Sequence, residues 1–146
     1  MPYLIDSHED LAWNIVNLGR DYTKSAYDIR ELEKSTPIPS FNGNTLLGWP
    51  QYQEANAAVI FGTLFCDPKR LSKGIYPVQT YETPAQAHTC YRENLDAYHR
   101  LTDENHDKFQ LIRSQSELKV HIQTWESHLE SPHDPEPPVG IVILME

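Results

Sequence analysis

An α/β fold built on a parallel sheet is what this sequence predicts, and three observations predict it. Residues 57–65, AAVIFGTLF, and 139–146, VGIVILME, are almost continuously apolar, as strands covered on both faces of a parallel sheet are. A shorter run, Tyr3-Leu4-Ile5, opens a strand near the amino end. Between these runs lie segments with helical spacing and helix caps, and strands that alternate with helices pair in parallel through crossovers.

In chain order, residues 3–7 read as the first strand. Apolar side chains at 11, 12, 15, 16 and 18 give residues 9–18 near-helical spacing, with Gly19 as the stop. A second helix is expected over 26–34. Residues 35–50 concentrate Pro, Gly, Asn and Ser and read as an irregular loop. A short helical turn at 51–56 leads into the strand at 57–65, which leaves through a loop. Thr83 is a good N-cap and Pro84 fits the first helical position, so a long helix should run to about Glu104. Ser114, with Glu117 three residues later, has the capping-box pattern for a helix over 114–129. The Pro-rich stretch at 132–138 breaks it before the last strand.

Residues 1–146 are expected to form one domain. At 39% apolar and 23% charged residues, the chain has the make-up of a packed protein rather than a disordered one. Twelve basic against 21 acidic residues give a net charge of -9, which speaks against a nucleic-acid or anionic-membrane surface, because phosphates need clustered Lys and Arg. Two cysteines, Cys66 and Cys90, make no disulfide framework. No signal peptide is visible, and no apolar run approaches the ~20 residues of a membrane span; a cytoplasmic protein is the default expectation.

The candidate chemistry starts at YLIDSHED, residues 3–10. His8 and Asp10 stand where the first strand should end, and active sites of parallel α/β proteins gather at the carboxyl ends of strands. In extended chain, positions i and i+2 face the same side. Imidazole nitrogen and carboxylate oxygen suit zinc or a similar divalent ion. The plainer alternative is that Asp6, Ser7 or Asp10 caps the following helix and His8 is a polar loop residue. Glu146 ends the last buried strand on the same side of the sheet, and its alternative is an ordinary exposed residue. The H-E-x-x-H zinc motif is absent, since position 12 is Ala12. His99 and His106, and likewise His121 and His128, are seven apart and read as solvated helix faces, as do His88 and His133. Cys66 reads as a buried thiol, not a nucleophile. Trp13, Trp49 and Trp125 read as packing residues.

IDSHEDLAW resembles the start of the membrane dipeptidase (renal dipeptidase) family, whose first strand ends in a D-G-H-N-D-type motif. VGIVILME resembles that family's third strand, which ends on a glutamate. LLGWPQYQEANAAVIFGTLF is similar to the segment leading into its second strand, and ETPAQAHTCYRENLDAYHRL fits the helix after it. The resemblance implies a zinc-dependent dipeptidase with a (β/α)8 TIM barrel and two zinc ions, of which this chain is the N-terminal portion. His8 and Asp10 would ligate the first metal and Glu146 would bridge both. Asp6 would support His8 from behind the ligands. The implied partner is a dipeptide substrate. The family site is completed by residues from later strands, so the chain is expected to be an incomplete and inactive part, with exposed strand edges that invite oligomerisation. Ser7 and Glu9 depart from the family's Gly and Asn; Glu9 is expected to add charge near the metals. Two rivals remain. One is a non-catalytic α/β domain or degenerate paralogue without a metal site. The other is a hydrolase of the amidohydrolase type, against which Asp10 argues, since those carry H-x-H on the first strand.

Overall fold

The computed structural model describes residues 2–72, 74–132 and 135–146. In chain order the elements are β1 (Leu4–Glu9), α1 (Leu11–Leu18), α2 (Ala26–Glu33), α3 (Ile38–Asn42), α4 (Trp49–Glu54), β2 (Ala57–Leu64), β3 (Asp67–Pro68), β4 (Thr80–Tyr81), α5 (Pro84–Glu104), β5 (Phe109–Leu111), α6 (Gln115–Glu130) and β6 (Val139–Met145). The fold is α/β. β1, β2, β6 and β5 form one sheet in that order with every pair parallel, and β3 and β4 pair separately.

Local chemistry sets the helix ends. Thr83 accepts a hydrogen bond from the Gln86 N–H while the Gln86 side chain accepts from the Thr83 N–H, a complete capping box for α5. At α6 the box is shifted: Ser114 accepts from the Glu117 N–H, but the Glu117 carboxylate reaches back to the Arg113 N–H. α1 ends at Gly19, which adopts φ 69°, a conformation glycine takes without strain.

β2 is buried along nearly its whole length. α5 packs on one face of the sheet: a Cβ on Gly62 would lie 2.7 Å from the ring of Tyr98. α6 packs on the other, with Trp125 against Val59 and His121 so close to Gly140 that a Cβ there would meet its Nε2 at 2.7 Å. The crossover rule accounts for the split. The connection from β2 to β5 moves outward across the sheet and that from β5 to β6 moves back, so two right-handed crossovers must use opposite faces.

Four expectations are corrected. β1 extends to Glu9, because Glu9 pairs with Gly62 of β2, and α1 starts only at Leu11. The loop at 35–50 contains the short helix α3. His106 lies beyond the end of α5 and does not share a helix face with His99. His121 is 4% exposed rather than solvated. Its Nε2 lies 2.8 Å from the Ala58 carbonyl oxygen. The register slips between Leu4↔Ala57 and Ile5↔Val59, so Ala58 is an extra residue outside the β1 ladder. Its carbonyl is a buried acceptor in need of a donor, and the ring supplies one. His133 lies outside the described residues. No helix among the described residues is long and apolar enough to cross a membrane.

Candidate metal centre

Strand alternation decides which way the end of β1 faces. Glu9 turns into the layer of helices, 5% exposed, with the Tyr52 hydroxyl of α4 donating to its carboxylate at 2.5 Å. Its backbone carbonyl accepts from the Tyr98 hydroxyl of α5 at 3.3 Å. His8, one residue earlier in the strand, faces the opposite way, and Asp10, which follows the strand with ψ 43°, comes to the same side through its hydrogen bond from Thr63. This overturns the expectation for Glu9. It brings no charge to the metal-ligand side, and burial pushes its carboxyl up to about 7 against the opposing hydrogen bond from Tyr52.

Asp10 occupies the N-cap position of α1, yet its side chain makes no capping bond. Its carboxylate instead accepts from the Thr63 hydroxyl on β2. Thr63 is fully buried, and its Oγ1 also lies 3.3 Å from the Glu9 carbonyl oxygen. Glu146 follows β6, two strands from β1. Its N–H is 3.4 Å from the Leu64 carbonyl oxygen, and its own carbonyl accepts from the Tyr91 hydroxyl of α5 at 2.7 Å. The side chain reaches over β2 so that Oε1 sits 2.5 Å from His8 Nε2. That hydrogen bond to Glu146, with the negative charge of Asp10 nearby, raises the His8 pKa, and desolvation offsets only part of the effect.

Donor atoms of His8, Asp10 and Glu146 all lie within 4.8 Å of one another. Asp6 bonds the His8 backbone, its Oδ1 accepting from the His8 N–H at 3.0 Å, and among the described residues no hydrogen bond joins it to the imidazole. Compared with known proteins, the chain matches no family model, no curated protein and no solved structure. The chemistry of the site therefore rests on the geometry itself.

That geometry admits a divalent cation. Ligand atoms bound to one zinc at about 2.0–2.2 Å can stand no more than about 4.4 Å apart. The three groups are close to that limit, and half-exposed side chains can close the difference by rotation. One nitrogen and two carboxylate oxygens form a donor set that zinc accepts. The His8–Glu146 contact would have to open, and His8 would have to give up its proton. The supporting residues Thr63, Tyr91 and Glu9 were not singled out as such from sequence. A hydroxyl residue near the end of the middle strand was the available signal for Thr63.

Proposed function

We propose that this chain carries part of the metal centre of a zinc-dependent dipeptidase. The single observation behind the reading is the convergence of His8, Asp10 and Glu146, from the ends of two strands separated by a third, on one point at the carboxyl edge of the sheet. A divalent cation held there would supply Lewis acidity toward an amide carbonyl and would lower the pKa of a bound water. The chain's own residues would orient the donors. Thr63 fixes one oxygen of Asp10, Tyr91 anchors the backbone of Glu146, and buried Glu9 keeps the end of β1 turned the right way. Three protein donors leave a tetrahedral ion one position for water or substrate. A second, bridged ion would need donors beyond these three. The dipeptide preference comes from the sequence resemblance alone.

The finer architecture in this reading is the first part of a (β/α)8 barrel. β1, β2 and β6 support it, being adjacent, parallel and in chain order. One observation favours an open sheet with helices on both faces instead. α6 packs on the face that carries the ligands, which in a closed barrel would line the interior. A non-catalytic domain also has an observation in its favour, since the 2.5 Å His8–Glu146 contact is a complete pair without any ion.

Zinc titration of the chain by calorimetry, with a parallel assay of dipeptide hydrolysis, tests the proposal. One zinc per chain is expected, with binding lost in His8→Ala and Glu146→Gln. No binding, or binding indifferent to both substitutions, would refute the metal centre. Zinc binding without hydrolysis is the outcome expected of an incomplete site, and turnover of a dipeptide by these residues alone would refute the reading of an incomplete part.

A further inference from the structure

Beyond the carboxyl end of β2, β3 and β4 form a small parallel ribbon in which Asp67 pairs with Thr80 and Pro68 with Tyr81. The ribbon is fastened from several sides. The Gln79 N–H donates to Asn17 Oδ1 of α1 at 2.6 Å, and the Gln79 side chain donates to the Glu93 carboxylate of α5. The Gln79 carbonyl accepts from the Cys66 thiol at 3.6 Å. A cavity of about 480 Å³ opens on this ribbon, lined by Pro68, Lys69, Arg70, Tyr81 and Glu82. Both of its walls are tethered to Glu146. Pro68 is four residues past Leu64, whose carbonyl oxygen lies 3.4 Å from the Glu146 nitrogen, and four residues span at most about 14 Å. Glu82 stands two residues before α5, and Tyr91, roughly 10 Å along that helix, holds the Glu146 carbonyl.

We infer, given the dipeptidase reading of the metal centre, that this cavity selects substrates with an acidic side chain, whose carboxylate Arg70 holds. The chain is strongly acidic, with a net charge of -9, yet two cations stand together here. Lys69 pairs with Glu82 at 3.1 Å. Among the described residues no carboxylate pairs with Arg70. Two cations against one anion leave the cavity lining one uncompensated positive charge. A planar guanidinium grips a carboxylate through two parallel hydrogen bonds. Pro68 and Tyr81, neighbours across the ribbon, offer an apolar wall to the methylenes that carry such a group. The terminal carboxylate of a dipeptide is two bonds from the scissile nitrogen and stays beside the ion. A group that reaches a cavity on a separate ribbon has to be carried out on a side chain, as the carboxylates of aspartate and glutamate are. The Lys69 and Glu82 side chains are 62% and 58% exposed. An ion pair so exposed is weak, and Lys69 can turn to the same ligand.

The test is an NMR titration of the whole isotope-labelled chain with glycyl-glutamate and, separately, glycyl-glutamine, read at the backbone amides of β3 and β4. The two peptides share a terminal carboxylate and differ in side-chain charge. Glycyl-glutamate should bind about tenfold more tightly, the effect of one charge-assisted hydrogen-bonded contact. The preference should vanish in Arg70→Gln and grow in Glu82→Gln, which frees Lys69. Four results would each overturn the inference: the two peptides bind equally or not at all, the preference survives Arg70→Gln, it fails to grow in Glu82→Gln, or Arg70→Gln weakens both peptides alike, which would put the terminal carboxylate at Arg70. Zinc affinity, titrated separately, reads the metal centre and should be lost in His8→Ala. A chain that takes no zinc sinks the metal centre, whereas the glutamate preference, set by Arg70, is expected with and without the ion and is judged on its own.

Discussion

Replacing His121 by alanine should remove both a stabilising contact and a pH dependence, and the two can be measured together. His121 is 4% exposed, and its ring fills the space that Gly140 leaves by having no Cβ. Its Nε2 serves the Ala58 carbonyl at 2.8 Å, where the strand slip removes that residue from the β1 ladder. Leaving a buried acceptor unserved costs about 1–3 kcal/mol, and the lost packing adds to it. A loss of roughly 2–4 kcal/mol at pH 7.5 follows from those two contributions. Burial holds the His121 pKa below its ordinary 6.5, with the Ala58 hydrogen bond opposing only in part. The unfolded chain therefore binds a proton that the native chain refuses. Stability supported by the neutral ring is fully present above 6.5 and declines as the pH falls toward the depressed folded value, by at most about 1.4 kcal/mol per pH unit. The gap between native protein and His121→Ala should thus narrow on going from pH 7.5 to 5.5. Urea melts of both proteins at the two pH values measure it, because other titrating groups are common to both and cancel in the difference. A gap that stays constant with pH, or a variant as stable as the native chain at pH 7.5, would refute the account of α6 docking.

Two further substitutions separate support of the site from support of the fold. Thr63→Val keeps the shape of the side chain and deletes the hydroxyl that holds Asp10; if zinc binds as proposed, its affinity in calorimetry should fall by about 10–100-fold, the usual effect of removing such a partner. Arg20→Ala should cost roughly 3–5 kcal/mol in chemical denaturation. The Arg20 guanidinium spends all its donors on Glu33, Asn14, Asn42 and the Gly43 carbonyl, and its removal leaves the buried Glu33 carboxylate unpaired.

What the sequence revealed and what it hid follow from range of interaction. β2 and β6 could be read because burial on both faces demands an unbroken apolar run, and α5 because Thr83 and Pro84 write its start locally. β5 could not be read. Phe-Gln-Leu is too short to show a period, and it is a strand because the first residues of β6 pair with it. His8, Asp10 and Glu146 were visible as ligand types at strand ends, but their convergence depends on the parallel register through β2, which no local pattern encodes. His121 was misread because its spacing to His128 resembles a solvated face. The better signal was its neighbours on the helix, since Leu118, Ile122 and Trp125 form an apolar stripe that includes position 121.

The candidate ligands and their supports differ sharply in burial, and that difference makes the site testable. The side chains of His8 and Glu146 are 49% and 37% exposed, while Thr63, Glu9 and Tyr98 beneath them are buried. An exposed ion pair contributes only about 0–1 kcal/mol to folding, so deleting His8 or the Glu146 carboxylate should leave the melting temperature almost where it was. Deleting a buried support whose shape is not conserved, such as the Glu9 carboxyl, disturbs the fold and the site together. A loss of zinc affinity in His8→Ala with an unchanged melt would thus be a statement about the ligand itself. The same loss in a variant of Glu9 would not, because the end of β1 owes its orientation to that buried carboxyl and its hydrogen bond from Tyr52.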